Sequence, residues 1–89
     1  MKKNDRKRKI AKEMTQKEIT AALLKIGQHI KAKREEGFSS AEDLAFQINI
    51  ARANFYRYEA GKDMYLSTFL RIMAGLDVSP GEFFGEVEK

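Results

Sequence analysis

The stretch AEDLAFQINIARANFYRYEAGK, residues 41–62, carries two short apolar patterns separated by a reversal. Leu44, Ala45 and Ile48 have the spacing of one helix face. Asn49 follows, one of the few non-glycine residues that tolerates the left-handed backbone a tight helix–helix turn needs. Ile50 restarts the buried pattern, and Phe55 and Tyr58 continue it to Gly61, a natural terminator. Ala45 is small, as a steep crossing of two helices requires. Ser39 or Ser40 opens the first helix, with Glu42 or Asp43 three residues on. Two short helices joined by a sharp turn is the expected reading, a helix-turn-helix over about residues 40–60. At 100° per residue, turning Phe55 and Tyr58 inward sends Ala53, Tyr56, Arg57 and Ala60 outward. Arg52 and Asn54 then flank that face in the first turn.

Outward from this pair the spacing stays helical. Thr15-Gln16-Lys17-Glu18 reads as a capping box, followed by a stripe of Ile19, Leu23, Ile26 and Ile30 on a helix ending near Gly37. Gly27 lies mid-helix, where it costs about 1 kcal/mol against Ala and so points to the close approach of a neighbouring backbone. Beyond Gly61 a further helix runs from about Leu66 through Phe69, Ile72, Met73 and Leu76. Ser79-Pro80-Gly81-Glu82 combines an N-cap, Pro at the first helical position and a capping Glu. Phe83 and Phe84 make the last helix an apolar lid. The expected fold is all-α, five helices in a bundle, with residues 1–14 as a basic N-terminal tail and 15–89 as the domain.

Charge is distributed unevenly. Of 89 residues, 17 are Lys or Arg and 13 are Asp or Glu, a net +4. Residues 1–37 hold 12 basic and 5 acidic groups, against 5 and 8 in residues 38–89. Residues 1–9 alone carry six basic groups and one acid, and residues 10–89 sum to −1. The basic arm is Lys2, Lys3, Arg6, Lys7, Arg8 and Lys9, a run that normally stays mobile until it meets an anion. No apolar run comes after it as in a signal peptide, and no stretch of about 18 apolar residues could cross a membrane. A soluble, cytoplasmic protein is expected.

The composition also narrows the chemistry. With no Cys there is no thiolate zinc site or disulfide framework, and one His leaves no paired-imidazole metal site. His29 stands in a basic stretch with Lys31 and Lys33, with no Cys and no Asp or Ser at a spacing that would orient it for catalysis. Its expected state is a solvated or half-packed imidazole. Glu35-Glu36 and Glu42-Asp43 read as a solvated face and helix-start charges, and no Gly-rich phosphate cradle occurs. No catalytic residue, metal or cofactor is expected, and the chain is not read as an enzyme.

From Ile26 to Phe84 the sequence resembles the lambda-repressor-like, Cro/Xre-type helix-turn-helix family of transcriptional regulators. The resemblance rests on an ordered set: Ile26-Gly27-Gln28-His29-Ile30, Asp43-Leu44-Ala45, Ile50-Ala51-Arg52, Tyr58-Glu59-Ala60-Gly61-Lys62, and Leu76-Asp77-Val78-Ser79 before Glu82-Phe83-Phe84. The family usually has Gly where Asn49 stands, Ser or Thr at Ala51 and often Gln at Ala41. The segment before the first helix of the pair is one residue longer than usual, and the loop after Lys62 one shorter. The resemblance implies a sequence-specific regulator of bacterial or phage type, repressor-like, that reads the major groove of double-stranded DNA with the helix around 52–60.

On that implied docking, Arg52, Ala53, Asn54 and Arg57 are the expected base contacts. Arg bonds guanine bidentately, Asn pairs with adenine, and Ala touches a thymine methyl. Ser40, Tyr56 and Lys62 are the expected phosphate contacts, which position without specifying, and the basic arm tracks phosphate or a minor groove. One recognition helix reads few base pairs, so a homodimer on a palindromic site is expected. Its candidate surfaces are Phe83 and Phe84, the stripe before Ile26, and Phe46 with Met64 and Tyr65. The alternative is an antitoxin-like or adaptor module that uses the same fold to bind a protein partner.

Overall fold

A computed structural model describes Lys9 and residues 12–89. Five helices follow one another: α1 (Gln16–Gly37), α2 (Ala41–Gln47), α3 (Arg52–Glu59), α4 (Leu66–Leu76) and α5 (Pro80–Val87). No strand occurs among the described residues. The arm residues Lys2, Lys3, Arg6, Lys7 and Arg8 lie outside them, whereas Lys9 is described and exposed.

The helix starts match the local chemistry read from sequence. Thr15 and Ser79 each accept from the backbone N–H three residues on, while Glu18 and Glu82 bond back to the cap, so both capping boxes are complete. Ser40, rather than Ser39, caps α2 by accepting from the Asp43 N–H at 3.1 Å. The box holds the Glu18 carboxyl below the ordinary carboxylate range, chiefly through the Thr15 backbone bond and then through Lys12. α3 starts on Ala51 with no side-chain cap, and α4 on Tyr65 likewise.

The core is made by Ile30 of α1, Ala41, Leu44 and Ala45 of α2, Phe55 of α3, Phe69, Ile72 and Met73 of α4, and Phe83 and Val87 of α5. Burying a large apolar side chain here contributes about 1.5–3 kcal/mol. Phe69 and Phe83 meet edge to face at 5.5 Å, and Phe84 stacks on Phe69 at 5.2 Å. The lid expected of the last helix therefore divides: Phe83 is fully buried, and Phe84 remains 39% exposed. The apolar stripe on α1 also divides. Ile30 is buried and Ile26 packs on the core, but Leu23 is only half-buried and Ile19 exposed. The periodicity of α1 continues toward its N-terminus beyond the part of the helix that other helices cover.

Two close approaches fix how α1 meets the end of α3 and how α4 meets α2. At Gly27 an added Cβ would lie 2.5 Å from the Tyr58 carbonyl oxygen and 2.7 Å from that of Glu59, so the end of α3 presses directly on the α1 backbone. At Gly75 the Ile48 and Leu44 side chains occupy the space a side chain would need. The turn between α2 and α3 passes through Asn49 at φ 58°, the left-handed conformation expected there.

Asp77 also adopts the left-handed region, at φ 56°, as the C-cap of α4. An Asp there meets both the steric cost of that conformation and the negative end of the helix dipole. Asp77→Gly is expected to stabilise the fold by about 0.5–1 kcal/mol. A higher midpoint in urea would show it, and a lower one would refute it.

Candidate nucleic-acid interface

α3 is short, and its orientation is set from below. Phe55 is fully buried, Glu59 is 8% exposed and Tyr58 is half-buried, so one side of the helix is committed to the interior. Arg52, Ala53, Asn54, Tyr56, Arg57 and Ala60 are all exposed. The structure brings the four expected base-contact residues and Tyr56 onto one short helix with their side chains in solvent. Lys62 is exposed just after α3, where its N–H bonds the Arg57 carbonyl at 3.0 Å. Ser40 is half-buried at the start of α2, its hydroxyl oxygen already serving as the N-cap. A hydroxyl in that role still has its proton to donate.

Three elements of the site have no clear mark in the sequence pattern. The first is the ion pair that anchors α3. Arg34 of α1 donates from Nε and Nη2 to the two carboxylate oxygens of Glu59, both bonds 3.0 Å long, and both residues are buried. The Glu59 hydrogen bond raises the Arg34 pKa against the opposing effect of burial. Both residues occupy polar-looking positions in a highly charged sequence, so spacing alone does not single them out.

The second is Arg71 of α4. Its guanidinium donates to the carbonyl oxygens of Ile48 and Asn49 at 2.8 and 2.7 Å, capping the end of α2 and holding the turn. A cation at the C-terminal end of a helix is also favoured by the dipole. The partners are backbone atoms, which no residue type announces.

The third is Glu42. Read from sequence as a helix-start charge, it reaches from α2 to α3, with its Oε2 3.3 Å from Arg52 Nη1. Its carboxyl lies below the usual range because of a backbone N–H first, then the Tyr56 phenol and Arg52. The Tyr56 phenol is raised in turn, mainly by its hydrogen bond to Glu42.

A cavity of about 300 Å³ between α1 and α3 is lined by Lys31, Arg34, Tyr56, Glu59 and Ala60. It brings Lys31, read from sequence only as part of a basic stretch, beside the edge of the α3 face. Acids gather elsewhere: a cavity of about 380 Å³ includes Glu36, Asp77, Glu82 and Glu86 in its lining, with Lys33 the basic group among them. The near-neutral sum of the body thus conceals two surfaces of different sign. His29 belongs with the acidic surface. Its Nε2 lies 3.0 Å from Glu86 Oε1 and its ring meets Phe83 edge-on at 5.0 Å, a half-packed imidazole. His29 first, then Lys33, holds the Glu86 carboxyl below the ordinary range.

Two short helices joined by a tight turn, the second exposing a polar face at its start, define the helix-turn-helix class. The Cro/C1-type helix-turn-helix DNA-binding domain model matches residues 29–89. The chain belongs to that family, and its five-helix all-α architecture is the one the sequence led us to expect. No curated protein and no solved structure matches it. Among the described residues, no helix is long and apolar enough to cross a membrane.

Proposed function

We propose that the protein is a sequence-specific transcriptional regulator of repressor type, acting as a homodimer on a palindromic duplex. The observation that carries this reading is the exposure of Arg52, Ala53, Asn54 and Arg57 on a helix whose opposite side is locked inward by Phe55 and Glu59. Arg57 and Arg52 supply the forked donors that pair with guanine, and Asn54 the amide that pairs with adenine. Tyr56, Lys62, Ser40 and Lys31 supply phosphate contacts, and the basic arm adds sequence-independent attraction.

The dimer reading draws support from apolar side chains left in water. Phe46 is 86% exposed, Tyr65 81% and Leu66 70%. Phe83, a candidate for this contact from sequence, is instead fully buried and belongs to the core. Met64 is half-buried. A copy-to-copy contact through Tyr65 and Leu66 would remove apolar area from water and hold two α3 helices at a fixed spacing, about one helical turn of DNA apart.

Selection of bound sites from a random duplex pool tests both parts. Enrichment of an inverted repeat is expected. On the enriched site, Arg57→Glu should lower affinity tenfold or more, since each bidentate base contact is worth about 1–3 kcal/mol of discrimination. Failure to enrich any sequence would overturn the reading, and enrichment of a single unrepeated site would overturn the dimer.

A further inference from the structure

We propose that Glu42 is a specificity-determining residue: a counter-charge on the reading face that orients Arg52 and turns phosphate away from it. The inference rests on the DNA-reading function proposed for the chain.

The geometry gives Glu42 a place unlike that of the other acids near α3. Glu59 is turned inward and satisfied by Arg34, and Asp43 accepts from its own helix neighbour Gln47 at 3.1 Å. Glu42 instead leaves its helix and meets Arg52 across the turn. The two side chains are 46% and 67% exposed. So exposed a pair is screened by water and adds little to folding. It nevertheless ties up one amine of a guanidinium at the first residue of α3, where base edges are met.

At a DNA surface this pairing has a direct consequence. An unpaired Arg is attracted to any phosphate, whatever the sequence, and phosphate contacts carry the non-specific part of binding. A carboxylate beside it cancels most of that attraction. What remains is the free edge of the guanidinium, a directional fork that matches guanine O6 and N7 and little else. Glu42 therefore lowers affinity for every duplex and lowers it least for the right one.

The test uses the full chain, the duplex enriched by selection and a scrambled duplex of equal length. Glu42→Gln should bind the scrambled duplex about two- to fivefold more tightly, the scale of an exposed ion pair. Its log–log salt dependence should steepen by about 0.9, one added phosphate contact. Affinity for the selected duplex should rise less or fall, so the ratio between the two shrinks. In an Arg52→Ala background the same substitution should leave that ratio unchanged, a dependence that a merely structural Glu42 would not show. Equal changes on both duplexes, or none on either, would overturn the proposal while leaving DNA reading intact. A wild-type chain with no preference among duplexes would instead overturn the DNA-reading function and this proposal with it.

Discussion

Glu59→Ala is expected to destabilise the protein by about 3–5 kcal/mol, although the lost side chain lies on the helix whose other face meets solvent. The carboxylate accepts two hydrogen bonds from Arg34, each 3.0 Å long, and neither residue is more than 8% exposed. Truncation leaves a guanidinium charge in the interior without a partner, and that uncompensated charge is what makes the loss large. A chain of this size is stable by roughly 5–10 kcal/mol, so the variant would be close to its unfolding midpoint under mild conditions. Each kcal/mol moves the thermal midpoint by about 4–8 °C in so small a domain. A drop of about 15 °C or more in a circular-dichroism melt is the expected reading. The double variant Arg34→Met with Glu59→Leu removes both charges and should recover most of the loss, because a buried pair is seldom better than the apolar residues that replace it. A single-variant loss below about 1 kcal/mol would mean that water screens the pair as it does a surface bridge.

The consequence reaches the reading face. α3 has eight residues and no side-chain cap at its start, so little of its order is intrinsic. Its angle comes from Phe55 in the core, from the Arg34 bridge, and from the contact of its end with Gly27. Arg71 fixes the turn that leads into it. A helix positioned from three sides can hold Arg52 and Arg57 at a fixed place, which is what discrimination between base pairs requires. The ion pair is thus a structural feature with a functional effect, and losing it would blur sequence reading even at temperatures where the chain stays folded.

Much of this architecture is legible in the sequence because it is local. Capping boxes at Thr15 and Ser79, the left-handed turn at Asn49 and the inward commitment of Phe55 each depend on a few neighbouring residues whose chemistry permits one outcome. Gly27 is legible for another reason: a residue that weakens a helix needs a compensating contact, and close approach is the usual one. The bridge from Arg34 to Glu59 spans 25 positions, and nothing in either neighbourhood distinguishes a buried ion from a solvated one. Arg71 and Glu42 are hidden in the same way, since their partners come from outside their own helices. The apolar stripe of α1 misleads over its first turns, because periodicity reports which residues share a face and not whether anything covers it. Exposure of Ile19 and burial of Phe83 are both decided by where the neighbouring helices stop.

Gly27→Ala is expected to be destabilising by about 3 kcal/mol, at the upper end of the range for overpacking, with the sign opposite to the one helix propensity gives. In an open helix the change would stabilise by about 1 kcal/mol. Here the new Cβ would lie 2.5 Å from the Tyr58 oxygen, 2.7 Å from the Glu59 oxygen and 2.9 Å from the Gly61 nitrogen. All three are backbone atoms, so no side-chain rotation relieves the clash, and the end of α3 must move away from α1. That movement also stretches the Arg34 bridge, which spans the same two helices. Gly85 of α5 provides the contrast, since a Cβ added there meets nothing within 4 Å. Gly85→Ala should therefore stabilise by about 1 kcal/mol, which propensity alone supplies. Urea unfolding of both variants measures the two signs in one experiment. Equal stabilisation by both would show that α1 and α3 do not touch at Gly27, and the placement of the reading helix would fall with that contact. Opposite signs, together with weaker discrimination between duplexes in the Gly27 variant, would trace the placement of Arg52 and Arg57 back to a hydrogen atom on α1.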